Sequence, residues 1–265
     1  MTTDDRRAIP ALAPRGVLII SGTGTGVGKT VVTAAVAALA LARGDRVAVV
    51  KPAQTGIADA RDARDATDAT DARDTTDATD AETVQRLSGV TDIHELARFP
   101  DPLSPEAAAR VSGLPPLAMA DAAEYIAKLA DSRDLVLVEG AGGLLVRYDR
   151  AGTTIADLAA RLAAPVLVVT AAGLGTLNHT ALTIEAIAAR KLRLAGVVIG
   201  AWPRDPGLAE RENLADLETV AGAPLAGLLP SGSGALSREE FRAVALASLG
   251  PGVGGLGRAP GRWGE

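Results

Sequence analysis

Short apolar runs without polar alternation recur along the chain. They are "GVLIISG" at 16–22, "RVAVVK" at 46–51, "LVLVEG" at 135–140, "PVLVVT" at 165–170, "LAGVVIG" at 194–200 and "PLAGLLP" at 224–230. Runs of this length predict strands, and the missing alternation predicts strands covered on both faces, the habit of parallel sheets. Helical patterns fill the gaps. The first is Ala- and Val-rich, runs from Lys29 to Arg43 and stops at Gly44. Others lie at about 120–131, 178–190, 207–221 and 237–248. Strand and helix in alternation predict an α/β fold: a doubly wound, mostly parallel sheet in a single domain spanning 16–249. Ligands of such sheets sit at the carboxyl ends of the strands.

Three stretches fall outside this pattern. Residues 1–15 are expected to be flexible, and the Gly-rich tail 250–265 to be disordered. Between 59 and 79 runs a triplet repeat, with Asp at 59, 62, 65, 68, 71, 74, 77 and again at 80. An array of carboxylates suggests metal binding, but the Gly turn and bidentate Glu of a calcium loop are missing. A repeat-expanded, low-complexity surface loop is the simpler reading.

Composition narrows the class. The chain has 265 residues, a net charge of −5, 48% hydrophobic residues but only 2% aromatics, and no cysteine. Acidity argues against a nucleic-acid binder that relies on a basic surface. Without cysteine there is no disulfide, thiolate metal site or cysteine nucleophile. No run reaches the roughly 18 apolar residues of a membrane span, and the first residues lack a signal-peptide core. The expectation is a cytoplasmic protein with neither membrane nor nucleic acid as partner.

Candidate chemistry gathers at strand ends. "SGTGTGVGKT" (21–30) joins the first strand to the first helix. It resembles a P-loop, where glycines turn backbone N–H groups onto phosphate, a lysine reaches the outer phosphates and the next hydroxyl binds Mg²⁺. Five residues, not four, separate Gly22 from the Gly28–Lys29 pair. "KPAQTG" (51–56) puts Lys51 at a strand tip. Its ammonium can neutralise charge in phosphoryl transfer, hold an anionic substrate, or be a solvated lysine. "VEGAGG" (138–143) puts Glu139 at the tip of a buried strand, where a carboxylate can complete Mg²⁺ coordination.

Taken together, "GTGTGVGKT", "KPAQTG", "VEGAGGLLV" and "LGTLNHT" make the chain resemble the dethiobiotin synthetases over about residues 16–247. That family's P-loop has the same longer spacing. The resemblance implies a P-loop NTPase type of fold and an ATP-dependent cyclo-ligase using Mg²⁺. It implies 7,8-diaminononanoate, CO₂ and ATP as substrates, and a homodimer. Gly26, Val27, Gly28, Lys29, Thr30 and Val31 would wrap the phosphates. Lys29 and Lys51 would be catalytic, with Thr30, Asp80 and Glu139 as metal ligands. Glu139, Gly140, Ala141 and Gly142 would form a nucleotide-contacting turn. Thr55 and Asn178 would contact the diamine, Asn178 from a helix start at the dimer interface. His179 beside it is expected to make only a structural hydrogen bond.

The chain also departs from the family. Gly24 and Gly26 stand where acidic residues are common. Gly200 and Ala201, followed by Trp202, stand where an Asn often reads adenine, which leaves Pro230, Ser231 and Gly232 to face the base through backbone groups. The rival readings are a partitioning-type switch ATPase, a cobyrinate-type amidotransferase and a non-catalytic nucleotide-binding module. Residues 23–27 lack the early lysine of the first, and the chain lacks the glutaminase cysteine of the second.

Overall fold

The computed structural model describes residues 14–57 and 78–257. Seven strands form one sheet in the order β4-β2-β6-β1-β7-β8-β9. They are β1 (Gly16–Gly22), β2 (Val47–Lys51), β4 (Ile93–Glu95), β6 (Leu135–Gly143), β7 (Val166–Thr170), β8 (Leu194–Trp202) and β9 (Gly227–Pro230). Every pairing in it is parallel. A separate two-stranded piece pairs β3 (Gln54–Thr55) with β5 (Arg98–Phe99).

The unalternating apolar runs are explained by two cores, one on each face. Leu18, Ile20, Leu135 and Leu137 point into one; Ile19, Val136 and Val138 point into the other. The first is closed by α1 (Lys29–Arg43), α2 (Asp80–Ser88) and α8 (Arg238–Ser248). The second is closed by α3 (Pro105–Ser112), α4 (Met119–Ala130), α5 (Ile155–Arg161), α6 (Thr176–Ala189) and α7 (Leu208–Ala221). α1 is buried along the whole stretch Val32–Ala40. Its alanines let it lie close against the sheet, which is how a chain so poor in aromatics fills its interior.

The six predicted strands and the helices starting near 29, 120, 178, 207 and 237 are all present. Three short strands and the helices α3 and α5 went unpredicted. The strands have two or three residues each, too few to show a period. The two helices did carry start signals: Ser104–Pro105 ahead of α3, and a Thr154/Asp157 capping box at α5.

The first part of the Gly-rich tail departs from the expected disorder. Residues 250–257 fold back through a 3-10 turn at Pro251–Val253, and Val253 is 1% exposed. Leu256 and Gly257 donate to the Leu246 and Leu249 carbonyls at 2.7 and 2.8 Å. A side chain at Gly255 would overlap the Leu249 carbonyl, so glycine here serves close packing rather than disorder. Residues 1–13, 58–77 and 258–265, with most of the Asp repeat, lie outside the described residues.

Candidate active site

The chain order of the strands reverses around β1, which places the β1–α1 loop in the crevice at the sheet's carboxyl edge. Gly28 is the left-handed N-cap of α1 (φ 94°), and the Lys29 ammonium donates to the Gly24 carbonyl at 2.8 Å. Burial and repulsion from Lys51 hold the Lys29 pKa below the ordinary lysine value. β8 braces this loop from behind. A Cβ on Gly28 would come within 2.7 Å of the Gly200 carbonyl, and one on Gly200 would overlap the carbonyl of Val27. Gly200, which stands where the family often has a base-reading Asn, packs its backbone against the phosphate loop, and the site has no room for a side chain.

Beside the loop four groups converge. Lys51, one step past the Val50–Val138 pairing of β2 with β6, lies 2.6 Å from Asp80 Oδ2 and 2.8 Å from Glu139 Oε1. Thr30 Oγ1 lies 2.8 Å from Asp80 Oδ1 and 2.9 Å from Glu139 Oε1. Lys51 and Glu139 are 5% and 1% exposed. Desolvation disfavours the Lys51 ammonium, but Glu139 and Asp80 outweigh it and raise the pKa above the ordinary lysine value. Burial pushes Asp80 up; the Lys51 charge and the hydrogen bonds from Lys51 and Thr30 more than offset this and hold it low.

Asp80 reaches the cluster because it is the first residue of α2. Thr79 caps that helix in a capping box with Glu82, and Val84 and Leu87 anchor it in the core. The last aspartate of the repeat therefore sits on a rigid helix start. One hydroxyl with two carboxylates in hydrogen-bonding reach of it forms an all-oxygen donor set, which suits Mg²⁺.

These residues line a cavity of about 790 Å³. Lys29, Thr30, Val31, Lys51, Thr55, Asp80, Glu139, Ala141, Gly142, Gly26 and Gly28 all face it, together with a strap from Pro102 to Pro105. Two contributions escaped sequence reasoning. The strap is one. The other is Tyr148, 0% exposed, whose hydroxyl accepts the Ala141 N–H at 2.7 Å. Within the expected nucleotide-contacting turn, that N–H is therefore engaged by the protein itself. Burial raises the Tyr148 pKa, so the hydroxyl stays neutral. A tyrosine five residues past an "AGG" turn is a weak signal, though this chain has only two tyrosines.

Of the expected diamine-side residues Thr55 lines the cavity and Asn178 does not, and the expected base-side residues are not part of the lining either. Ala201, Pro230, Ser231 and Gly232 lie exposed at the ends of β8 and β9, and the Ser231 N–H is used on the Trp202 carbonyl at 2.7 Å. Asn178 and His179 are exposed in the first turn of α6. Among the described residues the His179 ring makes no hydrogen bond, contrary to expectation.

Comparison with known proteins accounts for this combination. An AAA domain family model matches residues 16–235. An ATP-dependent dethiobiotin synthetase of Frankia casuarinae is 60% identical over 242 residues, 91% of this chain and 95% of its own. The chain belongs to the dethiobiotin synthetase family. A synthetase of Streptomyces avermitilis is 56% identical over 240 residues, covering 90% and 94% of the two chains. The synthetase family is one of ligases in biotin biosynthesis, and its members share this fold with distant ATPases. A ParA family ATPase from Chlorobium tepidum has a TM-score of 0.50 at 16% identity, covering 87% of this chain and 92% of its own. A septum site-determining protein MinD complexed with Mg-ADP, from Pyrococcus horikoshii, also has 0.50 at 15%, covering 89% and 93%. At such identities the likeness is one of fold, and the partitioning-ATPase reading is not favoured.

Proposed function

We propose that this chain makes dethiobiotin from 7,8-diaminononanoate, CO₂ and ATP, releasing ADP and phosphate. The observation that carries the reading is the Lys51 ammonium held between Asp80 and Glu139 in the same cavity as the phosphate loop. One substrate amine takes up CO₂ as a carbamate and loses a proton. A carbamate oxygen attacks the γ-phosphorus, the bond to the β-phosphate oxygen breaks, and ADP leaves. The second amine attacks the carbonyl carbon of the resulting carbamic-phosphoric anhydride, closes the ureido ring and expels phosphate. No protein nucleophile is needed, so positioning and charge stabilisation do the work.

The residues divide that work. The loop Gly26–Val31 wraps the phosphates through backbone N–H groups, aided by the N-terminus of α1. Lys29 contacts the outer phosphates. Lys51 offsets negative charge on the transferring phosphoryl group and the carbamate. Thr30, Asp80 and Glu139 would hold Mg²⁺, which neutralises phosphate charge when bound. Thr55 contacts the diamine. Asn178 would reach the diamine of a second copy in a homodimer. An exposed apolar face around it supports such pairing, since Leu174 and Leu182 are 91% and 56% exposed. The protein would act in the cytoplasm; among the described residues no helix is long and apolar enough to cross a membrane.

Mass spectrometry of the product from diamine, ¹³C-bicarbonate, ATP and Mg²⁺ tests the reading. Dethiobiotin carrying one heavy carbon is expected, with phosphate release that requires both diamine and bicarbonate. Phosphate release independent of diamine would overturn it in favour of a simple ATPase.

A further inference from the structure

We propose that Thr170 is a positioning residue that ties the phosphate loop to the turn entering α6. Thr170 ends β7 and is 0% exposed. Its hydroxyl lies 2.7 Å from that of Thr176, 2.8 Å from that of Thr180 and 3.3 Å from that of Thr23. Thr23 belongs to the phosphate loop and is also pinned by its backbone N–H, which donates to the Val169 carbonyl at 2.9 Å. Thr176 and Thr180 belong to the first turns of α6 and are 2% and 0% exposed.

Counting protons orients the network. Each hydroxyl has one to give. The Thr176 hydroxyl lies 2.7 Å from the Ala171 carbonyl, which can only accept, so its proton goes there. Thr176 must then accept from Thr170. That uses the one Thr170 proton, so Thr180 and Thr23 both donate to Thr170. All four protons are assigned, and the Thr170 hydroxyl is bonded to both elements. Buried hydroxyls so matched resist separate displacement, because breaking one contact leaves an unpaired polar group.

The turn 171–175 is held from its other side as well. Asn213 of α7 is 6% exposed, and its Nδ2 donates to the Ala172 and Gly173 carbonyls at 2.7 and 3.2 Å. A turn that displays Leu174 at 91% exposure is thus braced from two sides. A shift of the phosphate loop around a nucleotide is passed by Thr23 to Thr170, and from there to the first turn of α6. The inference rests on the loop binding nucleotide but not on Asn178 touching the diamine.

Hydrogen–deuterium exchange of the full chain with and without Mg-ADP tests it. Amides 174–180 should exchange about fivefold or more slowly with Mg-ADP, the lower end of typical coupling between sites. In Thr170→Val the protection should vanish while Mg-ADP still binds by equilibrium dialysis. Thr170→Ser, which keeps the hydroxyl, should retain it. If Thr170→Val does not fold, Thr180→Val removes one donor from α6 and should weaken the same protection. Equal exchange of these amides in the wild type with Mg-ADP bound overturns the inference, and so does full protection in a folded Thr170→Val. Failure of the wild type to bind Mg-ADP overturns the nucleotide reading of the loop, and this inference with it.

Discussion

On the β2–β6 side of the phosphate loop, an ammonium and a hydroxyl each lie 2.6 to 2.9 Å from the same two carboxylates. On the β7–β8 side, four threonine hydroxyls and the Gly28–Gly200 backbone contact fix the same loop without a charge. Both sides are buried and specific, but their costs differ. Desolvating an ion costs several kcal/mol, recovered only by close opposite charge. Hydroxyls that satisfy each other are cheaper to bury. Charge is therefore concentrated where a phosphate and a cation would arrive, and neutral packing is used where only geometry is required.

The largest expected effect breaks the charged side. Lys51→Gln should lower turnover at least about a hundredfold in a phosphate-release assay, as for the loss of one electrostatic contact in a transition state. Because Lys51 is buried between two carboxylates, the variant should also lose about 3–5 kcal/mol in denaturant unfolding. A strand-tip lysine suggests little structural cost, and its burial reverses that expectation. Near-normal turnover would remove Lys51 from the mechanism.

The matching blow to the neutral side is Gly200→Ala. Its methyl group has no space beside Val27, so about 1–3 kcal/mol of stability should be lost to overpacking. The KM for ATP should rise about tenfold, roughly 1.4 kcal/mol. Unchanged KM with unchanged stability would show that the loop yields easily and that the contact is unimportant.

A third variant separates the ordered aspartate from the repeat. Asp80→Asn should raise the Mg²⁺ concentration for half-maximal turnover about tenfold, again roughly 1.4 kcal/mol. Changing Asp62, Asp65, Asp68 and Asp71 together to Asn should leave it unchanged. If Mg²⁺ titrations show the reverse, the metal assignment belongs to the repeat.

Base selectivity sharpens the comparison further out along β8 and β9. Gly200 and Ala201 offer no side-chain hydrogen bond, and the Ser231 N–H is already used. Analogues lacking a hydrogen-bonding group are strongly rejected only by sites that bond it. CTP and GTP should therefore support turnover within about tenfold of ATP, roughly 1.4 kcal/mol. A thousandfold preference for ATP would mean that backbone groups of Pro230–Gly232 read the base.

The smallest effect is in pH. Burial pushes the Asp80 pKa up, but the Lys51 charge and the hydrogen bonds from Lys51 and Thr30 outweigh it and hold the pKa below its ordinary value, so its contribution to stability is complete above about pH 4 and lost as pH falls through the folded value. The Lys51 pKa is raised, so its contribution is complete below about pH 10 and lost as pH rises further. The unfolding midpoint should be flat between these limits, and Asp80→Asn should flatten the acid limb. An unaltered acid limb in that variant would assign it to other carboxylates.

Hydrophobic pattern and loop chemistry are local, so the strands, most helices, the phosphate loop and the tip positions of Lys51 and Glu139 were legible in the chain alone. Asp80 was legible only through the resemblance, which named it among the metal ligands. Tertiary structure decided what those groups touch. Thr30 meets Asp80 and Glu139 across 50 and 109 residues, and Thr23 meets Thr170 across 147. No local period encodes such distances. The same holds for Tyr148 under the Ala141 turn and for Gly200 behind the phosphate loop, whose roles depend on which surface arrives opposite them. Gly255 makes the point in the other direction: glycine reads as flexibility in a sequence, but against the Leu249 carbonyl it is the only residue small enough for the backbone to close.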